Sequence, residues 1–263
     1  MAFLPSGVVT LLSDLGLDDA SVGILKGAMM SRFAQVRIVD ICHSVPQKDV
    51  LWATYALAGC YRDFPPGTVH CAIVGPGRGA ATNVLVVSRA GHLFVAPNNG
   101  CLSKIVSDSD AHVRSLDIHR VPVAPIRRAY HTRDVVASVG ALLASGKLGF
   151  EDVGDIDEEP YRIGSLDLLL SDGQAEGVVL GADRFGNVFA SINASDLPSH
   201  DLDFVVEIDG QEIPIVPGIH DAEPGKPAAM FNYSGMLQIV ERDGRADERL
   251  HATRGTKVRV SWK

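Results

Sequence analysis

Three acids fall within six residues in Ser13-Asp14-Leu15-Gly16-Leu17-Asp18-Asp19, directly after the apolar run Val8–Leu12. A short continuous run of this kind reads as a buried strand. In α/β sheets, ligands bind beyond the carboxyl ends of strands, and Asp14 stands there. A carboxylate at that point can accept two hydrogen bonds from a ribose diol or bind a cation. Asp19 and Ser21 open the next helix, whose first N–H groups face the same place. Simple helix capping by Asp18 or Asp19 is the competing reading. The density of acids at one strand end weighs against it.

Four later segments carry comparable chemistry. Gly75-Pro76-Gly77-Arg78-Gly79 follows the run Val69–Val74. Its consecutive N–H groups can form an anion nest, and Arg78 adds a cation. A plain glycine turn is an equal alternative. The segment is not a Walker loop, because no Gly-Lys-Ser/Thr follows, and a strand rather than a helix comes next. Asn98-Asn99-Gly100 follows another strand, where Asn-Gly is first a turn signal. Tyr130-His131-Thr132-Arg133-Asp134 precedes a helix. A histidine at a helix N-terminus is disfavoured as a cation, so it can stay neutral and hydrogen-bond a nucleophile. Asp183-Arg184-Phe185-Gly186-Asn187 is a turn with an aromatic between two polar residues. Such a trio can sandwich a purine and bind a charged amino-acid end. No H-E-x-x-H occurs and the nine histidines are scattered, so no metal site is expected. G-x-S-x-G is also absent, which weakens a serine hydrolase.

These segments need elements to position them. The sequence predicts strands at Val8–Leu12, Val36–Ile41 and Val69–Val74, and a hairpin of Asn83–Ser88 and His92–Ala96 around Ala90-Gly91. Helices are predicted over about 20–30, from an Asp49 cap to about Tyr61, and from a Thr132 cap to Gly146. The last should bury Val135, Val136, Val139, Leu142 and Leu143. Alternating strands and helices argue for a mostly parallel sheet with helices on both faces. Residues 151–159 are acidic and precede Pro160, as at a domain edge. The expected organisation is an α/β domain over 1–155, a linker over 156–174 and an all-β domain over 175–263. Strands in the last part are Gly177–Leu180, Val188–Ile192, Phe204–Ile208, Gln211–Val216, Ala228–Asn232, Met236–Glu241 and Lys257–Trp262. Asp209-Gly210 is a hairpin signal.

Composition sets the class. The apolar share of 46% and charged share of 21% fit a globular chain. The net charge of −8, with no basic run, argues against nucleic acid and against an anionic membrane surface. No window approaches the ~20 apolar residues of a membrane span. Cys42, Cys60, Cys71 and Cys101 form no C-x-x-C pair and read as reduced, buried thiols. The opening Met-Ala-Phe-Leu-Pro-Ser-Gly has no basic, apolar leader pattern, so a cytoplasmic location is expected.

Taken in order, the segments resemble the S-adenosyl-L-methionine hydroxide adenosyltransferase family, which includes the fluorinase and chlorinase. The resemblance rests on Ser13-Asp14-Leu15-Gly16, Asp19, Ser21-Val22, Lys26-Gly27, Val39-Asp40-Ile41-Cys42-His43-Ser44, Ala96-Pro97-Asn98-Asn99-Gly100, His131-Thr132-Arg133-Asp134, Asp183-Arg184-Phe185-Gly186-Asn187 and Asn232-Tyr233-Ser234-Gly235-Met236-Leu237. These stretches span nearly the whole chain. The resemblance implies an N-terminal α/β domain, a C-terminal β-barrel and a homotrimer with sites between subunits. It implies no cofactor, with S-adenosyl-L-methionine as substrate. A nucleophile would attack the ribose 5′ carbon and expel methionine.

Residue by residue, the resemblance implies that Asp14 binds the ribose hydroxyls. Asp19 and Ser21 would contact the methionine part, with Asp183 and Asn187 from a neighbouring subunit. Phe185 would pack on the ligand. Gly75, Asn98, Asn99, Tyr130, Tyr233 and Ser234 join the substrate-binding set, and the backbone near Arg242 and Asp243 would face adenine. His131 matches the histidine of an Asp-Arg-His triad in the hydroxide-using members. The Asp position is Gly75 here and the Arg position is Thr82. Halogenases have Tyr where Gly75 stands. Arg78 occupies the place of a halide-contacting Thr, and Thr132 that of a Ser. The extra loop of the fluorinase is missing, which argues against fluorination. The expected catalytic group is therefore His131, Arg78 and Thr132, holding water or chloride. Two alternatives stay open: a larger anion in a pocket opened by Gly75, and a binding protein without turnover.

Overall fold

The computed structural model describes residues 3–75, 83–107, 109–122, 132–163, 168–198 and 203–262. The chain divides into two compact units, 1–163 and 164–263.

The first unit is built on a six-stranded sheet. Its elements in chain order are β1 (Val8–Ser13), α1 (Ser21–Arg32), β2 (Arg37–Cys42), α2 (Val50–Cys60), β3 (Val69–Ile73), β4 (Val84–Arg89), β5 (His92–Pro97), α3 (Ser103–Val106), β6 (His112–Ser115) and α4 (Thr132–Ala144). The strand order is β2-β1-β3-β5-β4-β6. The pairs β1–β2, β1–β3 and β3–β5 are parallel. The pairs β4–β5 and β4–β6 are antiparallel, so the sheet is mixed. The cause is local. Ala90 and Gly91 both have positive φ, the geometry of a tight two-residue hairpin turn, and such a turn reverses the strand.

The sheet is covered on both faces, and side-chain alternation sorts the residues. Val9 and Leu11 of β1, with Val69 and Cys71 of β3, face a core shared with Leu25 and Met29 of α1 and Val135, Val136 and Val139 of α4. Leu12 and Ala72 point the other way, toward Leu57 of α2 and Ile105 of α3. Leu11 and Leu12 are both fully buried, on opposite faces. Each such side chain contributes about 2 kcal/mol, so β1 is fixed from both sides just before Asp14. α4 lies close on β3: a Cβ at Gly140 would collide with Cys71 Sγ. As expected, the Asp49 side chain caps α2, accepting from Trp52 N at 2.7 Å.

Among the described residues, the second unit is mostly β, with one short α-helix and two 3-10 turns, at Ala194–Asp196 and Ile219–Asp221. Its elements are β7 (Leu169–Ser171), β8 (Gln174–Ala182), β9 (Val188–Asn193), β10 (Phe204–Ile208), β11 (Gln211–Ile213), β12 (Pro227–Phe231), β13 (Met236–Glu241), α5 (Ala246–Arg249) and β14 (Lys257–Trp262). The order is β11-β10-β14-β8-β9-β13-β12, with β7 on β8. Val216 N donates to Ala229 O and Ala229 N to Pro214 O, so the chain after β11 reaches β12 and nearly closes an antiparallel barrel. Its interior holds Val179, Ile192, Val206, Leu237 and Val258, among others. Asp209 and Gly210 form the expected turn, both at positive φ.

The segment read as a linker is shared out. Asp157 N donates to Val113 O and Tyr161 N to Asn98 Oδ1, so 156–163 runs along the first unit. Residues 169–171 are a strand of the second.

Candidate active site

Parallel pairing brings the carboxyl ends of β1, β3 and β5 to one edge, and the chain leaves each end through a candidate segment. Asp14 follows β1, Gly75 follows β3, and Asn98-Asn99 follow β5. Sequence positions far apart are joined here by hydrogen bonds. Asp14 Oδ2 accepts from Lys48 N at 2.8 Å and from Gly75 N at 3.0 Å. Asn99 Nδ2 donates to Val74 O at 2.8 Å, and Asn99 Oδ1 accepts from Cys101 N at 3.1 Å. Asn98 Oδ1 accepts from Tyr161 N. Among the described residues, nothing bonds Asp14 Oδ1. One oxygen therefore fixes the carboxylate and the other is free to meet a ligand's donors.

Backbone conformation makes this junction possible. Lys48 has φ of 63° and Gly75 of 66°. Both lie in the left-handed region that side chains disfavour. A Cβ at Gly75 would lie 3.3 Å from Val50 Cγ2, 3.6 Å from Asn99 Nδ2 and 3.6 Å from Lys48 Cα. A side chain at this corner would therefore meet Val50 and suffer the strain of a left-handed backbone.

Asp19 and Ser21 are near neighbours at the start of α1. Ser21 N donates to Asp19 Oδ1 at 2.7 Å. That bond, then the Ser21 hydroxyl, holds the Asp19 carboxyl below its usual range. The residue thus serves the helix start, as the capping reading has it, although the position bordering the helix is Ala20. Cys101, behind the junction, donates its thiol to Val74 O. Burial, then nearby Asp14, pushes its pKa up to about 12, so it stays a neutral, inert thiol.

The second unit presents its candidates on two turns. Between β8 and β9, Asp183 Oδ1 accepts from Phe185 N at 2.8 Å and Asn187 N at 3.0 Å, and Asn187 Nδ2 donates to Asp183 Oδ2 at 2.9 Å. The two polar residues organise the turn, and Phe185 is left 77% exposed at its tip. Between β12 and β13, Asn232 Oδ1 accepts from Ser234 N, Ser234 Oγ and Met236 N, leaving Tyr233 85% exposed. Large aromatics held out by rigid polar turns are suited to stacking on a planar ligand.

Arg78, Thr82, Tyr130 and His131 lie outside the described residues, and Thr132 enters only as the first residue of α4. Among the described residues, no cluster of His, Cys, Asp or Glu could hold a metal ion. No helix among the described residues is long and apolar enough to cross a membrane, and all four cysteines are free.

Sequence reasoning assigned no role to Lys48, His43 or Asp40. Ser13 Oγ and His43 Nδ1 are 2.7 Å apart, and His43 Nε2 lies 3.1 Å from Asp40 Oδ1. His43 sits within Val39–Ser44, yet its partner Ser13 is 30 residues away, a pairing that spacing does not encode.

The chain is similar to known proteins over nearly its whole length. A relative from Thermus thermophilus named (R)-S-adenosyl-L-methionine hydrolase is 31% identical over 261 residues, spanning 96% of this chain and 98% of its own. A fluorinase from Actinopolyspora mzabensis is 27% identical over 291 residues, spanning 97% of each. The crystal structure of an uncharacterized conserved protein from Thermotoga maritima superposes with a TM-score of 0.83 at 25% identity, covering 96% of this chain and 99% of that one. Residues 9–154 match the model of the SAM hydroxide adenosyltransferase N-terminal domain and residues 177–259 that of the C-terminal domain. The chain belongs to the SAM hydroxide adenosyltransferase family.

Proposed function

We propose that this enzyme substitutes at the ribose 5′ carbon of S-adenosyl-L-methionine, with hydroxide as nucleophile, giving adenosine and L-methionine. The observation that carries the reading is the half-buried Asp14 carboxylate at the strand ends: one oxygen accepts from two backbone N–H groups, and among the described residues none bonds the other. A ribose diol supplies the two donors that such an oxygen accepts. In the reaction the oxygen of water bonds to the 5′ carbon and the carbon–sulfur bond breaks. Its electron pair goes to sulfur, which leaves as a neutral thioether, and the water proton passes to solvent. A sulfonium leaves readily, so the protein's main contribution is to orient and desolvate the reactants.

In this reading Asp14 holds the ribose, and Asp19 and Ser21 hold the methionine part. Gly75, Asn98 and Asn99 frame the floor. His131, Arg78 and Thr132 hold the nucleophile. Asp183, Phe185, Asn187, Tyr233 and Ser234 act from a neighbouring copy in a homotrimer. Water or chloride is the nucleophile in this reading, and a larger anion in a pocket opened by Gly75 is the alternative. Free thiols suit the cytoplasm, and the net charge of −8 suits a small-molecule partner rather than nucleic acid.

Incubation with S-adenosyl-L-methionine, alone and with chloride, fluoride or a small carboxylate, followed by chromatography, tests the proposal. Adenosine in every arm is the expected result. A 5′-substituted adenosine in one arm would change the nucleophile. Intact substrate after hours, with tight binding, would make the chain a binding protein.

A further inference from the structure

Ser13, His43 and Asp40 stand in the order of a nucleophilic triad. Ser13 Oγ is 2.7 Å from His43 Nδ1, and Asp40 Oδ1 is 3.1 Å from His43 Nε2, off the axis of the ring N–H. Ser13 is fully buried, however, and His43 nearly so. A nucleophile must reach its substrate, and this hydroxyl cannot. The arrangement has another use. Ser13 is the residue directly before Asp14.

Two further bonds tie the same two segments, and a third lies within the turn. Gly16 N donates to His43 O at 2.8 Å, Val45 N donates to Ser13 O at 3.3 Å, and Leu15 N points at Ser13 Oγ at 3.4 Å. The turn bearing Asp14 is thus laced on both sides to the stretch after β2. The side-chain contact is directional. Asp40 beside Nε2 favours the proton there, which leaves Nδ1 as acceptor for the Ser13 hydroxyl. Asp40 is itself held by Lys26 Nζ at 2.6 Å. Burial opposes its charge, but Lys26 and then His43 beside it outweigh burial and hold its carboxyl below the usual range.

We propose that His43 is a positioning residue for substrate: through Ser13 it sets the Asp14 carboxylate at the angle that receives the ribose hydroxyls. The proposal rests on the reading of Asp14 as the ribose ligand. His43 touches no reacting atom, so it should affect ribose affinity and KM more than kcat.

The test uses the full chain, with adenosine as the calorimetric probe and methionine release as the rate assay. His43→Leu removes the acceptor. His43→Asn keeps an oxygen close to the place of Nδ1. Ser13→Ala removes the donor. The expected result is a roughly ten-fold weaker adenosine Kd and a similar rise in KM for His43→Leu and Ser13→Ala, with kcat within about three-fold. His43→Asn should recover most of the loss. In an Asp14→Ala background, His43→Leu should add less than about two-fold, because its route to the ligand is gone. A merely structural histidine would add its full effect in both backgrounds, which would overturn the proposal. If His43→Leu fails to fold, Ser13→Ala and His43→Asn carry the same test. Weaker binding in Asp14→Ala with no change in the His43 and Ser13 variants removes this proposal alone. Unchanged binding in Asp14→Ala removes the ribose reading and this proposal together.

Discussion

Asp14 Oδ2 accepts the backbone N–H of Gly75 at 3.0 Å, across 61 residues of chain. This bond joins the ends of β1 and β3 and aims a carboxylate out of the sheet. Replacing Asp14 by Ala should therefore do two things. Two N–H groups, of Gly75 and Lys48, lose a charged acceptor, which costs about 1–3 kcal/mol of stability. Adenosine affinity should fall by roughly 10- to 100-fold, the worth of charge-assisted bonds to the ribose. Urea unfolding and calorimetry on one preparation measure both.

Gly75 is held by conformation and by packing at once. Gly75→Ala should destabilise by more than the ~1–2 kcal/mol of a left-handed alanine, because its Cβ also presses on Val50 Cγ2 at 3.3 Å. Gly210→Ala is the control. Its φ of 72° is similar and nothing lies within 4 Å of its Cβ. The difference between the two unfolding midpoints isolates the packing cost, and equal midpoints would show that the corner is looser than described.

A buried histidine pair makes the fold acid-sensitive. Thr10 Oγ1 and His70 Nδ1 are 2.8 Å apart, and His70 Nε2 is 3.1 Å from His92 Nδ1. Burial, then the neighbouring His92, pushes the His70 pKa down to about 3. His92 is lowered too, by burial and then by Arg62. An unfolded histidine titrates near 6.5. Above that pH His70 is neutral in both states and its contribution is complete. As pH falls from about 6.5 toward 3, the unfolded chain takes up a proton that the folded chain refuses, and stability is lost. At about 1.4 kcal/mol per pH unit, the loss reaches several kcal/mol. Urea midpoints across this range should decline steeply in the parent protein and less steeply in His70→Gln, whatever the variant's absolute stability.

The sequence made the scaffold legible where local signals and burial agree. β1 is a continuous apolar run because both its faces are covered. The Asp49 cap and the Asp209-Gly210 turn act within a few residues of themselves. β6 was not legible. His112–Ser115 is a short edge strand, exposed or half-buried throughout, with no apolar pattern to read, and α3 has only four residues. The site divides in the same way. Asp14 stood out because acids crowd a strand end. Its anchors did not, because Lys48 and Gly75 contribute backbone N–H groups, which no residue type announces. His43 needed Ser13 beside it, and only the parallel pairing of β1 with β2 provides that.

Water at the ribose 5′ carbon displaces the sulfonium. The most direct measurement is turnover of S-adenosyl-L-methionine in ¹⁸O-labelled water, with mass analysis of every product. The expected products are adenosine carrying one ¹⁸O at the 5′ position and an equal amount of unlabelled methionine. Intact substrate, or the label in any product other than adenosine, would contradict this reaction.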